Sequence, residues 1–214
     1  MRGILWGSEM LDGPHCCMSS PIEIALYASG SGTNAENLIR MVPVDVATFS
    51  VVFTDRAGAG VRERAASLGV RDVLLTPAQV SGGAAGAEQV AMLSALGVEM
   101  ICLAGYLRQI PVEVIEAYRG RILNIHPSLL PAFGGKGMYG LNVHRAVLSR
   151  GCLWTGATVH VVTEAYDEGP IVAQRPVPVL PGDSPESLQG RVLQTEYALY
   201  PQAVMDLAKR ISCM

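Results

Sequence analysis

Apolar runs bounded by glycine, proline and small polar residues alternate with stretches of helical spacing along most of this chain. Residues 22–28 are almost wholly apolar and break into Ser29-Gly30-Ser31-Gly32-Thr33-Asn34, after which residues 35–41 have helical composition. The reading is strand, loop, helix. The pattern repeats: residues 46–54 predict a second strand that ends at Asp55, and residues 59–68 carry amphipathic helical spacing closed by Gly69. A short apolar run at 73–75 precedes a Gly- and Ala-rich stretch, a helix over 87–96 with Gly97 as its stop, and a buried strand over 100–104. Pro111 opens a helix that runs to Tyr118, residues 121–125 form the next strand, and residues 126–133 are Pro-rich. Residues 158–163 and 171–179 predict later strands, antiparallel at the edge, and residues 184–210 a long closing helix that Pro201 breaks or kinks.

Such alternation predicts an α/β fold: an open, mostly parallel, Rossmann-like sheet with helices on both faces and an antiparallel edge. Sheets of this kind bind ligands beyond the carboxyl ends of their strands. The residues expected there are 29–34, Asp55, Gly105 to Arg108, and Asn124 to Pro127, all small, polar or charged apart from a few apolar neighbours. Residues 21–214 read as one domain, and residues 1–20 are expected to be a disordered amino-terminal extension, without the basic start and long apolar run of a secretory signal.

Composition narrows the partners. The chain has 214 residues, enough for one sizeable core, with 50% hydrophobic and 16% charged residues, which excludes disorder and offers no membrane span. A net charge of -3 gives no electrostatic footprint for nucleic acid. Cys16, Cys17, Cys102, Cys152 and Cys213 are odd in number and lack metal-ligand or disulfide-framework spacing. The expectation is a cytoplasmic protein with small-molecule ligands, no nucleic-acid or membrane partner, and no metal.

Four segments carry candidate chemistry. In 29–34, Gly30 and Gly32 permit close backbone approach and the following helix offers free N–H groups to a phosphate, although the full dinucleotide fingerprint and the P-loop lysine are missing. A structural tight turn fits the same residues. Asn124-Ile125-His126-Pro127 puts a carboxamide and an imidazole two residues apart at a strand end, so both face one side. Acyl transfer to an amine needs such a pair: a donor to the developing oxyanion and a shuttle for the amine proton. A cap residue beside a satisfied loop histidine fits too. Asp167, in the turn Tyr166-Asp167-Glu168-Gly169-Pro170, could face the imidazole and raise its pKa, holding it cationic near neutral pH; a plain turn aspartate is the alternative. Gly105 to Ile110 offers an apolar wall with exposed main chain for a flat heteroaromatic ligand, or ordinary packing. His144 and His160 show no partner in sequence; His160, between Val159 and Val161, reads as a strand histidine, and neither is assigned a role.

Taken in order, Ser29-Gly30-Ser31-Gly32-Thr33-Asn34, Ala104-Gly105-Tyr106-Leu107-Arg108, Asn124-Ile125-His126-Pro127-Ser128-Leu129-Leu130-Pro131 and Asp167-Glu168-Gly169-Pro170 resemble the phosphoribosylglycinamide formyltransferase family, a branch of the folate-dependent formyltransferases. The likeness spans about residues 22 to 205. It implies formyl transfer from 10-formyltetrahydrofolate, a co-substrate, to the amine of glycinamide ribonucleotide in purine synthesis, by a monomer or homodimer without a metal. It implies Asn124, His126 and Asp167 as the catalytic trio. Gly32, Thr33, Asn34, Leu193, Gln194, Thr195 and Glu196 would hold the ribonucleotide. Leu107, Arg108, Gln109, Ile110, Asn124, Thr163, Glu164, Ala165, Tyr166 and Asp167 would contact the folate.

This chain departs from the family pattern twice. After Leu130-Pro131, many members carry Pro-Gly-x-His-x-His, whereas here Phe133-Gly134-Gly135-Lys136-Gly137-Met138-Tyr139-Gly140 precedes Val143-His144. That glycine-rich segment reads as a family variant or as a lid with Lys136 near phosphate. The second departure is the lack of a basic folate contact between the third strand and third helix, where residues 81–87 supply none. Related alternatives are formyltetrahydrofolate hydrolysis, transfer to initiator methionyl-tRNA, or transfer to another phosphorylated amine; the first two ordinarily come with an extra regulatory or nucleic-acid module, which the length argues against. A noncatalytic folate- or nucleotide-binding protein would lack one of the trio, and a nicotinamide oxidoreductase would need a fuller glycine fingerprint than Asp55 alone supports.

Overall fold

The computed structural model describes residues 20–213. The expected extension therefore lies outside the described residues except for Ser20, as do Cys16 and Cys17. In chain order the elements are β1 (Ile22–Tyr27), α1 (Thr33–Met41), β2 (Ala47–Thr54), α2 (Val61–Ser67), β3 (Arg71–Leu74), α3 (Pro77–Ser81), α4 (Ala85–Ala95), β4 (Met100–Leu103), α5 (Val112–Ala117), β5 (Ile122–His126), α6 (Leu141–Ser149), β6 (Trp154–Val161), β7 (Ile171–Pro178) and α7 (Pro185–Ser212). The strands form one seven-stranded sheet in the order β3-β2-β1-β4-β5-β6-β7. β3 through β5 pair in parallel, and β6 and β7 close the sheet antiparallel. The open α/β sheet with an antiparallel edge is the architecture that the alternating pattern predicts.

Both faces of the central strands are covered, so those strands are apolar without interruption. Ile22, Ile24 and Leu26 of β1 and Met100 and Cys102 of β4 join one core with α1, α6 and α7. Ala25 and Tyr27, with Ile101 and Leu103, join a second core beneath α4 and α5. Two-residue alternation divides each strand between the cores. Cys102 is fully buried, and burial pushes its thiol up to about 12. It is packing, not a nucleophile.

Three features depart from the sequence expectation. α3 is a short extra helix in the Gly- and Ala-rich stretch, started by a capping box in which Thr76 and Gln79 satisfy each other's backbone amides. α6 begins directly after Gly140 without a side-chain cap, which is why composition conceals it; Val143, His144 and Val147 form its buried stripe. β6 begins at Trp154, earlier than its apolar run implies.

Pro201 neither breaks nor ends α7, which runs continuously through it. A proline inside a helix frees the carbonyl of the residue four places earlier, here Tyr197. That oxygen accepts a hydrogen bond from Nδ2 of Asn37 on α1 at 2.9 Å. One turn later in the core, the hydroxyl of Tyr200 lies 3.0 Å from the carbonyls of both Leu103 and Leu123, sharing one proton between β4 and β5. α7 is thereby fastened across the sheet's centre. Among the described residues no helix is long and apolar enough to cross a membrane.

Candidate active site

The strand order reverses between β1 and β4, where successive connections leave to opposite faces and a crevice opens beyond the strand ends. A cavity of about 800 Å³ occupies this place. Its floor is stitched together by the loops after β1 and β4: Ser29 N–H donates to Gly105 O at 3.1 Å, and Leu107 N–H donates to the Ser29 hydroxyl at 3.0 Å.

At one end of the cavity lie Gly30, Ser31, Gly32, Thr33 and Asn34. Glu36 N–H makes the first bond of α1, to Gly32 O at 2.9 Å, so the amides before it have no helical acceptor and are available to an anion. Gly32 has φ of +77°, and a Cβ there would lie 2.5 Å from Val61 Cβ, so conformation and the close approach of α2 both demand glycine. α7 walls this end with Gln189, Leu193 and Glu196, one face of the helix. Gln194 and Thr195, expected to touch the ribonucleotide, lie on other faces of α7 and do not line the cavity; Gln194 is exposed. Gln189, not foreseen, lines the cavity instead. Glu196 is buried, its pKa is raised by that burial, and Oε2 accepts from Asn34 Nδ2 at 2.5 Å.

The other end is lined by Leu107, Arg108, Gln109 and Ile110 from the β4 loop and by Thr163, Glu164, Ala165 and Tyr166 from the loop after β6. Gln109 Nε2 donates to Glu164 O at 2.8 Å and clamps the two segments together. Arg108 reaches back to Asp55, with Nε 2.9 Å from Oδ2 of a side chain that is only 1% exposed. Burial alone would raise the Asp55 pKa, but hydrogen bonds from Ser29 and Arg108 outweigh it and hold the carboxylate below its usual range.

Asn124, His126 and Asp167 line the same cavity as both groups. Asn124 and His126 leave β5 on one side, as their spacing predicts. Asp167 comes from the opposite turn with φ of +57°, and the turn is held tight by Gly169, whose Cβ would fall 1.7 Å from Val161 O. Asp167 Oδ2 lies 3.6 Å from His126 Nδ1 and accepts from Gly135 N–H at 2.9 Å. His126 Nε2 lies 2.8 Å from Phe133 O. A carbonyl only accepts, so Nε2 carries the proton and Nδ1, beside Asp167, is the basic nitrogen.

The electrostatics correct one expectation. Burial lowers the His126 pKa, and the opposing effects of Asp167 and Phe133 do not overcome it, so the imidazole is neutral at neutral pH rather than cationic. Asp167, although burial pushes its pKa up, is held below its ordinary value, with the Gly135 N–H donating to its carboxylate, and is therefore ionised.

Two histidines without an expected role line the same cavity. His160 sits opposite Asn124 in the β5–β6 register, with Nε2 3.1 Å from Asn124 Nδ2 and 3.5 Å from Asp167 Oδ1. Its Nδ1 lies 3.0 Å from Val161 O, which places the proton on Nδ1 and makes Nε2 an acceptor for Asn124. The carboxamide is thus oriented with its second N–H still free. No single-strand pattern reveals this; it requires knowing that β6 pairs antiparallel to β5. His144, on α6, is 1% exposed with Nδ1 unpartnered, and burial, then the neighbouring His126, pushes its pKa down to about 4.

Comparison with known proteins places this arrangement in a family. The model of the formyl transferase family matches residues 22–204. A chloroplastic phosphoribosylglycinamide formyltransferase of Arabidopsis thaliana is 42% identical over 186 residues, covering 85% of this chain, which spans 64% of the plant protein's length. The crystal structure of glycinamide ribonucleotide transformylase 1 from Symbiobacterium toebii superposes with a TM-score of 0.81 at 41% identity, covering 89% of both chains. That of a phosphoribosylglycinamide formyltransferase from Brucella melitensis gives 0.79 at 42% identity, covering 88% of this chain and 96% of its own. With residues 22–204 matched by the family model and most of its length superposed on these structures, the chain belongs to the formyl transferase family.

Proposed function

We propose that this protein transfers the formyl group of 10-formyltetrahydrofolate to the amine of glycinamide ribonucleotide, in de novo purine synthesis in the cytoplasm. The observation that supports the reading is that Asn124, His126 and Asp167 line one cavity together with residues 30–34 and residues 107–110. A donor carboxamide, a neutral imidazole and an ionised carboxylate are what acyl transfer between two amines requires. The names of the Arabidopsis, Symbiobacterium and Brucella relatives agree with it.

In this mechanism the ribonucleotide's phosphate rests on residues 30–34 with its amine pointing to His126, and the pterin lies along residues 107–110 and 163–167. The amine attacks the formyl carbon, and the carbonyl oxygen gains the negative charge. Asn124, held by His160, donates its free N–H to that oxygen. His126 takes the proton released by the attacking amine on Nδ1, and Asp167 stabilises the resulting imidazolium. The same proton then passes to the folate nitrogen as the carbon–nitrogen bond breaks, leaving formylated amine and tetrahydrofolate. Protons balance without a metal or a nucleoside triphosphate. One chain supplies both halves of the cavity, so the proposed chemistry needs no second protomer.

The test is spectroscopic detection of folate product from 10-formyltetrahydrofolate, with and without glycinamide ribonucleotide, for the wild type and His126→Ala. Ribonucleotide-dependent turnover that falls by about 10²–10⁴-fold in the variant is expected. Turnover without acceptor would replace this reading with hydrolysis, and no turnover would refute it.

A further inference from the structure

The cradle proposed for the ribonucleotide's phosphate has a deficit of positive charge. Residues 30–34 offer amides and hydroxyls but no cation. Arg64, the guanidinium that touches this loop, donates Nε to Ser31 O at 2.8 Å and spends Nη1 on Glu36. Arg108 is bound to Asp55. A phosphate monoester carries about -1.5 to -2 at neutral pH and would sit near buried Glu196, so amides alone leave it undercompensated.

We propose that Lys136 is the missing phosphate ligand and sets the site's preference for a phosphorylated amine; the inference rests on the reading of the site given above. Lys136 lines the same cavity, and the ion pairs of the described residues do not include it. Its neighbours along the chain share the core of α1 and α7. Met138, two residues on, packs against the core formed with α1 and α7, the helices that bound the cradle. The wall of the opposite end belongs to the other core, through Tyr106, Ile110 and Val162. Gly135 and Gly137 flank Lys136 with φ of +93° and +90°, conformations that favour glycine, and Lys136 is exposed where it lines the cavity. Gly135 also holds Asp167, so the lysine sits next to the amide that positions the catalytic carboxylate.

Calorimetric titration of glycinamide ribonucleotide and of its dephosphorylated nucleoside into the wild type, Lys136→Ala and Lys136→Arg tests this directly. Lys136→Ala should bind the ribonucleotide at least about tenfold more weakly while binding the nucleoside as the wild type does, and Lys136→Arg should recover most of the loss. In turnover the change should appear as a higher KM for the ribonucleotide, not for the folate. Unchanged ribonucleotide affinity in Lys136→Ala, or a loss confined to folate, would overturn the assignment. The two readings fail separately: Lys136-dependent binding without turnover sinks formyl transfer alone, whereas turnover with an unaltered KM in the variant sinks the phosphate ligand alone.

Discussion

Glu196 and Asn34, 162 residues apart in sequence, meet at 2.5 Å across the mouth of the anion cradle and join α7 to the first turn of α1. The contact serves folding and binding together, because Asn34 also lines the cavity and its Oδ1 is buried without a protein partner. Glu196→Gln keeps the shape and removes the acid. It should leave the thermal midpoint within a few degrees while raising KM for the ribonucleotide by about tenfold. Asn34→Ala strands the buried carboxyl group and should cost about 1–3 kcal/mol in urea unfolding. A Glu196→Gln enzyme with wild-type KM would show that the acid has no part in binding.

The pH dependence of kcat/KM follows from the sign of the His126 shift. A base must be neutral to take a proton, and the His126 pKa is lowered, so activity should rise through an apparent pKa below about 6.5 and be flat at neutral pH. Asp167→Asn removes the charge that opposes burial, moving the acid limb further down while cutting kcat by about 10²-fold or more. An acid limb above pH 7 in the wild type would contradict the assignment of neutral His126 as the base.

His144 makes the fold acid-sensitive. Its pKa is about 4 in the folded protein, below the unfolded value of about 6.5, so the unfolded state binds the proton first. The stability that this group contributes is present in full above pH 6.5 and is lost as pH falls toward 4, with a slope of at most about 1.4 kcal/mol per pH unit. His126, also lowered, adds in the same direction. Urea denaturation at closely spaced pH values should show this decline, and His144→Phe should flatten part of it. Parallel profiles for the two proteins would rule out His144 as a source.

Asn37 and Pro201 form a testable pair. Asn37→Ala should destabilise the protein by about 1–3 kcal/mol, since the Tyr197 carbonyl then lacks a partner. Pro201→Ala supplies the missing backbone N–H, so the double variant should lose less than the sum of the single losses. Additive losses in a double-mutant cycle would mean that the carbonyl is satisfied in another way.

Local chemistry made much of this molecule legible. Strand–loop–helix order, the glycine turn at 30–34 and the shared orientation of Asn124 and His126 all follow from apolar runs, glycine placement and two-residue alternation. What escaped depended on elements meeting through space. His160 looks like any strand histidine until β6 is laid antiparallel against β5, where it falls opposite Asn124. The rotation of α7 decides that Gln189, Leu193 and Glu196 face the cavity and that Gln194 and Thr195 do not. Pro201 signals a broken helix because its compensating donor, Asn37, lies on α1. The protonation of His126 reverses because burial, invisible in a tetrapeptide, outweighs a neighbouring carboxylate.

The segment from Phe133 to Gly140 holds two of the residues proposed for the chemistry by its main chain. It grips His126 through the carbonyl of Phe133 and Asp167 through the amide of Gly135, and neither contact uses a side chain. Both groups belong to the main chain, but the course that presents them runs through positive φ at Phe133, Gly135, Gly137 and Gly140, so the glycines are part of the grip. The departure after Leu130-Pro131 thus places the grip in the main chain, and the side chain of Lys136 is not spent on it.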